Sequence, residues 1–327
     1  MIENGGVRAM ALEAKARPRA RLSGGDLFLR LLVAAAAVGV AALLVALGVE
    51  LAYNSQLSLA TYGFGFLTGT VWDPVHLVFG ALPFIFGTLV TSALALLIGI
   101  PISLGVAIFL SEKAKERRAL ASSLGSLVEL LAAVPSVIYG LWGLFVLAPF
   151  MKTYVETPLH AYLGFLPLFS TTPIGTDFLT AGVILAIMII PTATAVSRDI
   201  LNAVPNSQRE AMYSLGATDW EVTRKAVLPY ARSGIFGATI LGLGRAVGET
   251  MAVTMVIGNA PVISASLLSE GYTLTSLIVN QFNETTSPLY ASAMVEIGLV
   301  LFGLALIINL FARALIWRMT RGTKFRV

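Results

Sequence analysis

Residues 206–229 read Asn206-Ser-Gln-Arg-Glu-Ala-Met-Tyr-Ser-Leu-Gly216-Ala-Thr-Asp-Trp-Glu-Val-Thr-Arg-Lys-Ala-Val-Leu-Pro229. Ser207 and Glu210 have the spacing of a capping box, and so do Thr218 and Glu221. Each box predicts a helix start. Gly216 fits the left-handed position that ends a first helix, and Pro229 is expected to stop a second. The stretch predicts a compact, polar helix–turn–helix with Tyr213 and Trp220 exposed. Local chemistry also allows a plain amphipathic loop lying on a membrane.

Outward from this loop the chain turns apolar. It has 327 residues, 57% hydrophobic and 12% charged, with mean hydropathy +0.83. A soluble domain carries about 25% charged residues, so a soluble enzyme and a disordered chain are both excluded. A membrane helix needs about 20 mostly apolar residues. Six runs qualify, at 31–52, 82–110, 122–150, 178–197, 234–258 and 290–317. Pro101, Pro135 and Pro191 fall inside three of them and are expected to bend their helices. The reading is an all-α, polytopic membrane protein with a basic tail over 1–30, a membrane domain over 31–327, and a loop region over 198–233.

The cations orient it. Residues 1–30 hold Arg8, Lys15, Arg17, Arg19, Arg21 and Arg30. Segment 111–121 holds Lys113, Lys115, Arg117 and Arg118; segment 198–233 holds Arg198, Arg209, Arg224, Lys225 and Arg232; the end holds Arg313, Arg318, Arg321, Lys324 and Arg326. The alternate segments hold Lys152 alone. By the positive-inside rule both termini are cytoplasmic. The run 31–52 is too long for a signal-peptide core, so it is read as a retained first helix.

Several chemistries drop out. The pI of about 9.4 suggests nucleic acid, but the cations are distributed by topology and form no patch. The chain has no cysteine, and His76 and His160 lie outside the apolar runs, so no metal or nucleophile site is expected within the membrane. Leu22-Ser23-Gly24-Gly25 echoes part of an ABC ATPase signature, but there is no G-x-x-x-x-G-K-[ST] phosphate loop, so the chain hydrolyses no ATP by itself.

The 206–229 loop resembles the cytoplasmic signature of ABC importer permeases, E-A-A-x3-G-x9-I-x-L-P. Glu210, Ala211, Gly216, Leu228 and Pro229 match it, while Met212 replaces the second Ala and Ala226 the Ile. Ala133-Val-Pro-Ser-Val-Ile-Tyr-Gly-Leu-Trp-Gly143 and Gly242-Leu-Gly-Arg-Ala-Val-Gly-Glu-Thr-Met-Ala-Val-Thr-Met-Val-Ile-Gly-Asn259 resemble the phosphate-specific members, over roughly residues 82–317. The resemblance implies a type I importer permease fold in a bacterial inner membrane. It implies two different permeases, two separate ATP-binding subunits and an external phosphate-binding protein, with no cofactor on this chain. It also makes the loop the segment that docks on the ATPase, through Glu210, Ala211, Gly216, Leu228 and Pro229.

With Arg313 falling at the cytoplasmic end of the sixth run, Arg245 is the one basic residue placed within the membrane. Burying it costs at least about 2.5–3.5 kcal/mol on insertion scales. Glu249 follows at i+4, so a continuous helix would put the two on one face as a neutral pair, with Ala238, Gly242, Gly248, Ala252 and Asn259. Arg245 then offers donors to a passing oxyanion, and Glu249 accepts a hydrogen from protonated phosphate. Two bland readings stand beside this one. The pair locks helices together, and Gly244-x-x-x-Gly248 is a packing motif. Other acids near the spans are Glu50, Glu129 and Glu296; Glu50 is expected at the outer interface, Glu129 facing inward, and Glu296 toward protein or water. Permeases for molybdate or sulfate, or a secondary anion transporter, remain as alternatives.

The charge split makes one direct prediction. In this Cys-free chain, a single cysteine at Thr68 is expected to react with an impermeant thiol reagent in intact cells. One at Ser207 should react only after permeabilisation. External labelling at Ser207 would overturn the topology.

Overall fold

A chain surrounded by hydrocarbon must satisfy its backbone internally, which leaves helices as the economical solution for these apolar runs. A computed structural model describes residues 24–113 and 118–320. Most of the basic tail lies outside the described residues, as do Lys115, Arg117, Arg321, Lys324 and Arg326. Among the described residues, six helices are long and apolar enough to cross a membrane. One compact unit ends at Glu50 and a second begins at Leu51. Helix α1, Gly24–Asn54, supplies the first unit's described residues, and its side chains there are almost all exposed and apolar.

The second unit continues with α2 (Gln56–Tyr62), a two-strand ribbon of β1 (Trp72–Asp73) against antiparallel β2 (Val78–Phe79), and α3 (Leu82–Ile108). Then come α4 (Arg118–Ala132), α5 (Ser136–Leu163), α6 (Phe178–Asn202), α7 (Asn206–Ser214), α8 (Asp219–Gly248), α9 (Met251–Val256), α10 (Leu274–Gln281) and α11 (Pro288–Thr320). Helix α6 is the centre. In its most apolar stretch 61% of residues are buried, against 6% in α11, so the rest of this chain leaves most of the surface of α11 uncovered. Phe178, Ile184, Leu185, Met188 and Ile189 of α6 pack with Val253, Val256 and Ile257. Small residues let α3 approach. A Cβ on Gly87 would stand 2.0 Å from the Tyr272 carbonyl oxygen, so only glycine fits there. The Ser103 hydroxyl donates to Gly99 O at 2.7 Å and lies 3.3 Å from Ile190 O, joining α3 to α6.

Three expected ranges shift. Pro135 does not bend a span; it separates α4 from a span that begins at Ser136 and runs on to Leu163, because a proline and its predecessor both resist the interior of a helix. Glu129, on α4, accepts from the Arg198 guanidinium at 3.0 Å. Pro229 does not stop the helix of the loop. A wider π-helical turn over Thr223–Val227 closes Leu228 N–H onto Thr223 O, and α8 continues through the proline to Gly248. The wide turn gives the ring room that a regular turn denies. The fifth span then ends at Gly248, not 258, because Glu249 is extended, with ψ 131°.

Two polar anchors hold the ends. Arg209 of α7 is 7% exposed. Its guanidinium donates to Glu112 at 2.8 and 3.2 Å, to Val204 O at 2.6 Å and to Leu201 O at 2.9 Å. The loop helix is thereby bolted to the end of the second span and to the last turn of α6. On the far side of the molecule, Glu156 and Asp177 are fully buried. The Thr180 hydroxyl donates to Glu156 and its N–H to Asp177, each at 2.9 Å. Asp177 caps α6 from just outside it, and burial followed by the adjacent Glu156 carboxyl pushes its own carboxyl up to about 8.

Two predictions follow from these anchors. Arg209→Met strips Glu112 and two carbonyls of their donor, so a loss of about 3–5 kcal/mol in unfolding free energy is expected; a change under about 1 kcal/mol would deny the anchor. Asp177 keeps its proton in the fold up to about pH 8, while the unfolded chain releases it near 3.8. Stability therefore falls as pH rises between those values and levels above them. Thermal unfolding in detergent should show this slope in the native chain and a flatter one in Asp177→Asn. Parallel profiles would refute it.

Candidate functional site

The loop has the expected outline with one substitution of parts. Thr218 and Glu221 form the reciprocal capping box, with Thr218 N–H donating to Glu221 at 3.1 Å. Gly216 has φ +79°. The Ser207–Glu210 box does not form: α7 starts at Asn206, which puts Ser207 inside the first turn, and no side chain caps it. Arg209 ties down this end instead, through Val204 O and, at 3.4 Å, Asn206 Oδ1. Lys113 and the Tyr213 hydroxyl both donate to Asp219, at 2.6 and 3.1 Å.

Of the five loop residues singled out, Glu210, Ala211, Gly216 and Pro229 are exposed, and Leu228 is half-buried against Ala107 and Leu201. A groove of about 260 Å³ runs past Ala211, Met212, Leu215, Ala226 and Pro229. The two departures from the signature, Met212 and Ala226, thus line the same groove. One is larger than the signature residue and the other smaller, so their volume changes oppose each other at one place. Leu215 is 84% exposed and Trp220 61%, an apolar surface on an otherwise polar loop, of the kind that marks a partner contact.

The charge site differs from the expectation. Helix α8 runs to Gly248 and Glu249 follows at i+4, but the two side chains take different partners and no ion pair joins them. Arg245 Nη1 donates to the Thr192 hydroxyl on α6 at 3.3 Å, while its buried Nε has no partner. A cavity of about 510 Å³ adjoins it, lined by Thr192, Gly237, Leu241, Gly244, Arg245 and Asn309. The room comes from Gly237 and Gly244, where an added Cβ would meet nothing within 4 Å. Gly242 instead faces Ile100 and Ile189. Neither Gly244 nor Gly248 packs closely on anything in this chain.

Glu249 sits in the break. Its side chain accepts from Ala252 N–H at 3.4 Å, and its backbone carbonyl accepts from the Thr275 hydroxyl at 2.9 Å. Thr275 belongs to the buried first turn of α10, a helix between the fifth and sixth spans. Its signal was present: Thr273 and Ser276 have capping spacing, and the box forms. Thr192 and Asn309 had no such signal, because only tertiary packing brings them to Arg245. The expected site residues are therefore split into a largely exposed loop set and a half-buried pair of positions with no ion pair between them.

Comparisons fit this architecture. Residues 99–321 match the family described as "Binding-protein-dependent transport system inner membrane component". The protein named "Phosphate transport system permease protein PstC" of Mesorhizobium japonicum is 46% identical over 293 residues, covering 88% of this chain and 89% of its own. The Pasteurella multocida protein of that name is 47% identical over 289 residues, covering 87% and 89%. A Methanocaldococcus jannaschii protein, "Probable phosphate transport system permease protein PstC", is 36% identical and covers 79% and 83%. In fold, the chain is similar to a chain of a bacterial alginate ABC transporter, with TM-score 0.58, 16% identity and coverage of 90% and 97%. It is also similar to a chain of the MetNI methionine ABC transporter, with TM-score 0.52, 19% identity and coverage of 78% and 97%. With six membrane-length helices and these likenesses, the fold is that of a type I ABC importer permease. An apolar bundle with an exposed capped loop, matched in sequence over nearly nine tenths of its length, has one family to join: the chain belongs to the binding-protein-dependent transport system inner membrane components, among the PstC-type phosphate transport permeases.

Proposed function

We propose that this chain is one of two different permeases in a type I ABC importer that moves inorganic phosphate inward. Both termini are cytoplasmic in this reading, in the inner membrane of a bacterium. Two ATP-hydrolysing subunits dock on the loop side, and a phosphate-binding protein docks on the opposite side. The observation that carries the proposal is the half-buried Arg245, whose guanidinium spends one donor on Thr192, leaves its buried Nε unpaired and lines a cavity of about 510 Å³. A guanidinium with free donors beside an open space favours an oxyanion. Glu249, in the helix break, would accept a hydrogen from protonated phosphate, which sulfate near neutral pH lacks.

The loop reading rests on the exposed Leu215 and Trp220 beside the signature residues. At Gly216 an added Cβ would meet nothing, so only the left-handed backbone opposes substitution, at about 1–2 kcal/mol. Gly216→Val is expected to insert normally and to uncouple ATP hydrolysis from transport. Gly216→Asn, which tolerates that backbone, should retain it.

The pathway proposal is tested by phosphate uptake in complexes shown to be assembled. Arg245→Gln is expected to lower uptake by at least about tenfold, the scale of one lost charged hydrogen bond. The double variant Arg245→Met with Glu249→Leu should assemble and fail to transport. Substantial uptake by that variant would leave Arg245 a packing residue. Competition by molybdate or sulfate matching that by phosphate would move the substrate to another oxyanion.

A further inference from the structure

A second cavity, sharing no residue with the Arg245 cavity, lies where α2 meets α11. Its volume is about 570 Å³, within the range of small-molecule sites. Leu59, Phe64, Ile85, Leu299 and Leu304 wall it with hydrocarbon, and Glu296 is the single ionisable group in its lining. Glu296 is 2% exposed, and its Oε2 is buried without a hydrogen-bond partner. Ser58 stands beside it. The Ser58 N–H is spent on Ser292 Oγ at 3.1 Å, and the buried Ser58 hydroxyl is the neighbouring donor on the Glu296 side chain, leaving Oε2 without one.

An orphaned carboxyl in an apolar wall is costly, and the cost is relieved by the groups a carboxylate prefers, N–H donors that carry positive charge. The transported anion is disfavoured here, since like charges repel. The walls ask for a hydrocarbon chain. Along α11, Gly303 lines the cavity, and a Cβ built on it would meet nothing within 4 Å, so that stretch of wall is open. We propose that this cavity binds a long-chain amphiphile with an ammonium headgroup, the headgroup donating to Glu296 and the chain lying past Leu299, Gly303 and Leu304. Phosphatidylethanolamine of the bilayer and a free alkylamine share that chemistry.

The test uses the assembled transporter in phosphatidylcholine nanodiscs, with photoreactive diazirine analogues of dodecylamine and dodecanol as probes. Labelling of the segment 296–307 is read by peptide mass spectrometry. Saturable labelling by the amine probe is expected. Glu296→Gln should lower it by about tenfold or more, the scale of one charged hydrogen bond, and leave the dodecanol probe unchanged. Gly303→Leu should fill the cavity and abolish labelling by both probes while phosphate uptake persists, which separates this site from the transport reading. Suppression of amine labelling by added phosphatidylethanolamine identifies the bilayer lipid as the occupant. Suppression by unlabelled dodecylamine alone identifies a free amine. Equal amine labelling of Glu296→Gln and the native chain, labelling that does not saturate, or no labelling once the partners are assembled would overturn the proposal.

Discussion

Backbone groups have no water to turn to inside a bilayer, so every interruption of a helix there must be answered by another part of the chain. The fifth span shows the rule in full. Where α8 stops, the Thr275 hydroxyl takes up the Glu249 carbonyl at 2.9 Å, and Leu274 N–H at the head of α10 donates to the Thr88 hydroxyl at 3.0 Å. Beyond α9, Gly271 N–H returns to Ile257 O at 2.9 Å and Ala260 N–H to Gly271 O at 3.1 Å. Asn259, at φ +58°, donates to Thr254 O at 2.7 Å. The threonines and the asparagine scattered through this apolar region are therefore structural solvent. They allow extended backbone to run beside Glu249, where a helix would have offered side chains alone.

The same accounting separates Arg209, which is buried, from Arg245, which is half-buried. Arg209 is saturated: two contacts to Glu112, two backbone carbonyls and Asn206 Oδ1 occupy its five donors. A guanidinium so committed is an anchor, and breaking it exposes several orphan groups at once. Arg245 has one long hydrogen bond and an idle, buried Nε, and its side chain lines a cavity. Both side chains are equally cationic, so the contrast in role comes from how many donors remain unspent. The exposed pair of Lys113 with Asp219, at 2.6 Å, belongs to neither class; water screens it, and such pairs are worth about 0–1 kcal/mol.

The sequence made some of this readable and hid the rest for physical reasons. Span number follows from composition, because hydrocarbon thickness fixes helix length. The Thr218–Glu221 box and the left-handed Gly216 are decided within four residues, so local chemistry suffices. Errors cluster where helical register changes. Pro229 reads as a stop only if the preceding turn is regular, and it is wide. Arg245 and Glu249 have ion-pair spacing, but the guanidinium turns to Thr192 on α6 and the carboxylate to Ala252 N–H beyond the break, partners that local spacing does not show. Ser207 reads as a cap until Arg209 reaches Glu112, 97 residues away in sequence, and ties down that end of α7. The Glu156–Asp177 pair is likewise joined only by the packing of α5 against α6.

The wide turn over Thr223–Val227 also sets a phase. It holds one residue more than a regular α-helical closure, and one residue corresponds to about 100° of rotation about the axis. Loop and Arg245 lie on one unbroken helix, Asp219–Gly248, so the azimuth of Arg245 relative to Trp220 is dialled by that single extra residue. A helix of the same composition without it would carry the guanidinium to a different wall of the bundle. The helix thus behaves as a keyed shaft, with its two working ends held at an angle that no side-chain contact between them needs to maintain.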